Sequence, residues 1–224
     1  MRKKHTMRTP ILLKACCAFS LTATASNDAS LLKDDPIPAA YAKSYHYEKA
    51  QNYADAITAI APIFTADPKS YIVNLRLGWL CYLSGDNTNS KSHYQAAMIA
   101  APGSLEAKLG YLLPLLAEKH YDDAEVIAKQ VIRVDASNYY ANLRLAFAMR
   151  MEKKNDAAEE VLKHVLMLYP SDVKGLTELG LVKVAQNQFS TAQRIFTDVL
   201  TLDTENAIAK KQLAGIAKLN ESKH

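Results

Sequence analysis

The chain has 224 residues, with 27 lysines and arginines, 23 aspartates and glutamates, and three cysteines. Arg2, Lys3, Lys4, Arg8 and Lys14 stand before Ser26, together with Cys16 and Cys17. Without that head, 22 basic residues face 23 acidic ones, so the rest has no basic excess for non-specific nucleic-acid binding, and Cys81 alone forms no internal disulfide.

The head reads as a cleaved secretory signal. A basic start is followed by an apolar or small run from Ala15 to Ala25, ending in the A-x-A site Ala23-Thr24-Ala25. Cleavage is expected after Ala25. The run is too short to span a bilayer, which needs about 20 apolar residues. A lipoprotein acylated at Cys16 or Cys17 ranks second, because Lys14 sits badly for it. A disordered basic tail is the third reading. The expected mature chain is periplasmic or secreted, and meets a membrane only through export or an envelope complex. Its length of about 200 residues is enough to fold by packing without disulfides.

Residues 26–36 read as a linker closed by Asp34-Asp35-Pro36. From Ile37 onward every segment is amphipathic at helical spacing, with no strand-like alternation. Ser70, Ser104, Asn138, Asp172 and Asn206 follow one another at a constant step of 34. Each precedes a helical stretch, and each is a residue type that caps free amides in a first turn. Pro68, Pro102 and Pro170 keep the same step, with Ala136 and Thr204 where proline is missing. A fixed step of this length marks a repeat array. Five units follow: 37–70, 71–104, 105–138, 139–172 and 173–206. A capping helix is expected over 207–220, with Ile208, Leu213, Ile216 and Leu219 on its apolar side.

Each unit holds two helices. In the second unit these are expected from Tyr71 to Leu83 and from Asn87 to Ala100, parted by Ser84-Gly85-Asp86. The other inner breaks fall at Gln51-Asn52, Lys119-His120, Lys154-Asn155 and Asn187-Gln188. Leu77, Tyr111, Leu145 and Leu179 share one phase, and the small residues Gly78, Ala146 and Gly180 follow three of them. Ala56, Ser90, Ala124, Ala158 and Ala192 share another phase. Ile63, Ala97, Val131, Val165 and Val199 share a third. No unit can bury its apolar face alone, so the units stack into an all-α solenoid. Pro62 and Pro114 fall inside helices and are expected to kink them, with Gly110 easing the second bend.

These residues carry a resemblance. The run LGWLCYLSGDN, the small residues that open each second helix and the proline that closes most units resemble the tetratricopeptide repeat (TPR) family. The likeness covers residues 37–206 and the final helix. Asn74, Lys108 and Asn142 stand where the family has a large aromatic. The resemblance implies a right-handed superhelix of helix-turn-helix repeats. It also implies a concave face, lined by the first helix of each unit, that binds a protein or peptide partner.

Among known catalytic motifs, G-x-S-x-G, the phosphate loop, G-x-G-x-x-G and H-E-x-x-H are absent from the sequence. His46, His93, His120 and His164 lie in different units without metal-ligand spacing, and Cys81 reads as a buried inert thiol. No cofactor and no enzymatic activity are expected. One constellation stands above background. Unit two opens YIVNLRLGW and unit four opens YYANLRLAF. Helical spacing places Ile72, Leu75, Arg76 and Trp79 on one face, and Tyr140, Leu143, Arg144 and Phe147 on the matching face. The functional reading is two matching subsites with exposed arginine forks beside aromatic anchors. The alternative is residues kept for packing after an internal duplication. The function expected is a non-catalytic envelope scaffold. A carbohydrate-binding subunit of polysaccharide export or wall assembly is the runner-up, on the strength of 12 tyrosines.

Overall fold

A computed structural model describes residues 36–221. The expected signal and most of the linker lie outside them. Eleven helices and no strand occur among the described residues. They are α1 (Pro36–Lys49), α2 (Tyr53–Ala66), α3 (Tyr71–Leu83), α4 (Asn87–Ala100), α5 (Leu105–Ala117), α6 (Tyr121–Val134), α7 (Tyr139–Met151), α8 (Asn155–Leu168), α9 (Val173–Ala185), α10 (Phe189–Leu202) and α11 (Ala207–Glu221). Each helix packs on the next. The first helices α3, α5, α7 and α9 also touch one another in succession, as the inner layer of the stack. The last linker residue differs from expectation, since Pro36 opens α1. Proline's fixed φ suits a first helical turn, where its missing amide hydrogen costs nothing.

Local chemistry repeats with the period. Ser104, Asn138, Asp172 and Asn206 accept hydrogen bonds from amides three residues on, as their cap role requires. Ser70 differs, with no hydrogen bond to its side chain from the first turn of α3. The inner breaks share one geometry. Gln51, Gly85, Lys119, Lys153 and Asn187 all adopt positive φ. The amide after each reaches back to the carbonyl five residues earlier, as in Asp86 to Cys81 and Lys154 to Met149. This is the left-handed helix ending. It places the fourth break at Lys153, one residue before the expected Lys154.

Asn74 and Asn142 replace the expected aromatic with a polar stitch. Each donates from its side-chain amide to two carbonyls of the preceding turn, Pro68 and Ser70 in one case, Ala136 and Asn138 in the other. Lys108 reaches Pro102 in the same way, at 2.8 Å. Tyrosines opening α3 and α7 each reach the residue that closes their own unit and caps the first helix of the next. The Tyr71 hydroxyl lies 2.8 Å from the Ser104 hydroxyl, and Tyr139 donates to Asp172 at 2.9 Å.

The small residues opening the second helices, Ala56, Ser90, Ala124, Ala158 and Ala192, are all buried, as are Ala97, Val131, Val165 and Val199. The largest core cluster joins α5, α6, α7 and α8 around Leu112, Leu115, Leu145 and Leu162. Tyr94 from α4 is buried against Gly78 of its own unit and Gly110 of the next. A Cβ on Gly110 would enter the Tyr94 ring, so this glycine makes room for an aromatic between units. Within unit five, Gly180 makes room for Phe196 as Gly78 does for Tyr94 in unit two. In α11 the buried face is Ala209 and Ile216 with Leu213 beside them, packed on Phe196 and Val199. Ile208 and Leu219, expected on that face, are about half exposed.

Candidate functional site

The first helices frame a hollow of about 610 Å³. It runs from α1 across α3 and α5 to α7. Six of the eight residues singled out in the sequence line it: Ile72, Leu75, Arg76, Trp79, Tyr140 and Arg144. The two expected subsites are therefore parts of one hollow. Leu143 and Phe147 do not line it. Leu143 packs on the central core cluster. Phe147 meets the edge of Tyr121, with ring centroids 6.1 Å apart, and lies under the Arg150 guanidinium. Both residues serve packing between helices.

The frame of unit two, moved by one repeat in either direction, also finds lining residues that the sequence reading passed over, though not Glu48, Lys49 or Tyr94. Leu75 projects onto Tyr41 and Leu109, Trp79 onto Tyr45 and Leu113, and Ile72 onto Glu106. All of these line the hollow. The signal was present, but it lay in units one and three, which lack the NLRL motif. Ile72 is 63 % exposed, Tyr140 55 % and Tyr45 51 %. These three side chains stand open to solvent along the hollow.

Arg76 departs from expectation. It is only 7 % exposed. Its guanidinium pairs with Glu48 of α1, donates to the Ser44 hydroxyl from two nitrogens at 3.0 and 3.2 Å, and stacks 3.9 Å from the Tyr45 ring centre. The Trp79 indole donates to the same Glu48 carboxylate at 2.7 Å. Burial pushes the Glu48 carboxyl upward, but hydrogen bonds from Trp79 and Arg76, with the arginine charge, outweigh it and hold the group low. The fork is thus consumed inside the protein.

A positional rule underlies this pair. At two unit boundaries the sixth residue of a unit pairs with the twelfth residue of the unit before, 28 residues earlier. Arg76 meets Glu48, and Glu178 meets Arg150 at 2.8 Å with the charges exchanged. Arg144 holds the same sixth position, but its counterpart is Leu116. No ion pair joins Arg144 to a carboxylate among the described residues. One nitrogen donates to the Leu109 carbonyl at 2.6 Å, and the guanidinium lies 5.5 Å from the Tyr140 ring centre. Burial pulls its pKa down, while Tyr82, Tyr94 and Tyr140 pull the other way. A guanidinium remains charged under either influence.

Elsewhere, Cys81 is buried and its thiol is pushed up to about 11, chiefly by that burial. His93 is tied to Asn74 at 2.9 Å. The described residues hold no metal-ligating cluster and no helix long and apolar enough to cross a membrane.

Comparison with known proteins agrees with this architecture. Two tetratricopeptide repeat family models match residues 41–104 and 115–178. Among solved structures, a MamA fragment from Desulfovibrio magneticus RS-1 superposes with a TM-score of 0.69 at 17 % identity, covering 77 % of this chain and 98 % of that one. A thermophilic TPR protein from Thermus thermophilus reaches 0.64 at 13 % identity, covering 80 % and 98 %. A tetratricopeptide repeat protein from Parabacteroides merdae ATCC 43184 reaches 0.71 at 12 % identity, covering 81 % and 72 %. At these identities the structural likeness speaks for the fold alone. Period, helix pairs, inner layer and matching family models together make this chain a member of the tetratricopeptide repeat family.

Proposed function

We propose that this protein is an exported, non-catalytic scaffold of the cell envelope that holds a partner protein by seating one of its peptide segments in the hollow. One observation carries the reading: Ile72, Tyr45 and Tyr140 stay exposed along a hollow that four first helices build together. Apolar surface held open and concave is what a docked segment covers. The basic, then apolar head of residues 1–25 supports export.

A glycan reading draws on the same rings, because sugars stack on aromatic faces. Here the Trp79 indole is committed to Glu48, and Glu106 accepts from Tyr71 at 3.0 Å, while Arg144 keeps free donors that either ligand could use. The peptide reading is preferred because tetratricopeptide repeat proteins typically bind protein partners.

The test uses the tagged full chain and an Ile72→Asp variant, both expressed with residues 1–25 in place. Intact mass of the exported protein should begin near Ser26. Capture from envelope extract should yield a protein that survives glycosidase treatment and is lost with Ile72→Asp. Equal capture by the variant, or loss on glycosidase treatment, removes the peptide reading. A retained head or an added lipid mass removes the soluble exported one.

A further inference from the structure

Among the described residues, two cations that line the hollow take part in no ion pair: Lys49, which is exposed to water, and Arg144, which is half-buried. Arg76 and Glu178 each find their opposite charge at the twelfth position of the preceding unit. Before Arg144 that position holds Leu116. The hydroxyl that helps to hold Arg76 is missing too. Ser44 lies 32 positions before Arg76, and the same distance before Arg144 stands the buried Leu112. Unit three thus lacks both side chains that accept hydrogen bonds from the arginine of unit two. What remains is a half-buried guanidinium with one bond to a backbone carbonyl, beside tyrosine rings. Removing a charge from water without pairing it is costly, and the cost falls when a ligand supplies the opposite charge.

Resting on the peptide reading above, we infer that Arg144 pairs with the side-chain carboxylate of an aspartate or glutamate in the docked segment, with apolar residues beside it on Ile72, Leu75, Leu109 and Leu113. Charge complementarity selects the acid: Arg76 is neutralised by Glu48, and the remaining lining charges, Lys49, Arg144 and Glu106, leave a positive excess. The arginine fork keeps donors beyond the one that meets Leu109, and a carboxylate takes two of them side by side. The lining continues past Arg144 to Tyr140, one turn earlier on α7 and open to solvent. The segment therefore runs on beyond the charge, which belongs to a side chain and not to a chain end.

The probe is a phage-displayed library of random twelve-residue peptides, fused through their C-termini so that no free carboxyl end is present. The full chain is the bait. Enriched peptides should share an Asp or Glu next to large apolar residues. The best of them is then synthesised with an amidated end, with and without its acid changed to the amide. On the wild-type protein the acid-to-amide change should weaken binding about tenfold or more, as expected for a partly desolvated charge pair. Arg144→Met should bind the acid and amide peptides alike. Leu116→Glu should do the same by restoring the internal pair seen at Glu48 and Arg76, with the helical melt of both variants recorded as the folding control. Peptides enriched without an acid, or an acid preference that persists in folded Arg144→Met, would overturn the assignment while leaving the hollow as a docking site. Binding that requires a free C-terminal carboxylate would overturn the side-chain assignment. A library with no enrichment would remove both this inference and the peptide reading.

Discussion

Arg76 of α3 closes an ion pair with Glu48 of α1 across the boundary between units one and two. The arginine side chain is 6 % exposed and the carboxylate 23 %. The two halves of the pair are therefore unequal. Removing Glu48 strands the more deeply buried charge, although Ser44 and Tyr45 still hold it. Removing Arg76 leaves a carboxylate that keeps the Trp79 donor and some water. Glu48→Ala should cost more than Arg76→Ala, and its loss should be about 2 kcal/mol, the order expected for orphaning a largely buried ion. Thermal melts followed by circular dichroism give the ranking. Equal, negligible losses would show that the pair is no more than a surface contact.

Gly110 leaves room for the Tyr94 ring between units two and three. A methyl group there must push the ring or separate α4 from α5. Gly110→Ala should lower stability by about 1–3 kcal/mol, the usual cost of overpacking. The double change Gly110→Ala with Tyr94→Leu should recover part of the loss. If Gly110→Ala melts like the wild type, the contact between these units is looser than its geometry indicates.

Lys153 holds φ of 63° at the end of α7. In unit two the same station is filled by Gly85. A side chain in the left-handed region costs about 1 kcal/mol that glycine avoids. Lys153→Gly should raise the denaturation midpoint, whereas Gly85→Lys should lower it. Opposite signs at equivalent stations are the measurement of interest, and a fall for both would refute the account.

Glu159 joins Lys183 of the next unit at 2.6 Å, and its carboxyl is lowered to about 2, chiefly by that lysine's hydrogen bond. A carboxyl with a depressed folded pKa adds stability that is complete above its unfolded value near 4.5. That stability is lost as pH falls toward about 2. The contribution is about 1–2 kcal/mol after screening by solvent. Glu159→Gln should be less stable than the wild type at pH 7, and the gap should close between about pH 4.5 and 2. A gap that stays constant through that window would assign the loss to packing.

Much of this protein is set by chemistry that acts within a few residues. The step of 34, the cap residues, the prolines and the small residues opening each second helix sufficed to place the helices of units two to five and the solenoid. Caps, turns and helical periodicity depend on neighbours along the chain, so they can be read from it. Six of the eight residues singled out in the sequence line the hollow for the same reason, since helical spacing assigns a face. The destination of each side chain on that face was decided only in three dimensions. Arg76 and Arg144 sit in the same NLRL motif, yet one is neutralised by Glu48, while Leu116 holds the equivalent position before the other. Phe147 repeats the position of Trp79 but turns to Tyr121. These outcomes depend on residues about one unit away, brought close by the packing angle between units. A helix's own sequence carries no information about the charge its neighbour presents, and that charge decides whether an arginine is neutralised within the fold.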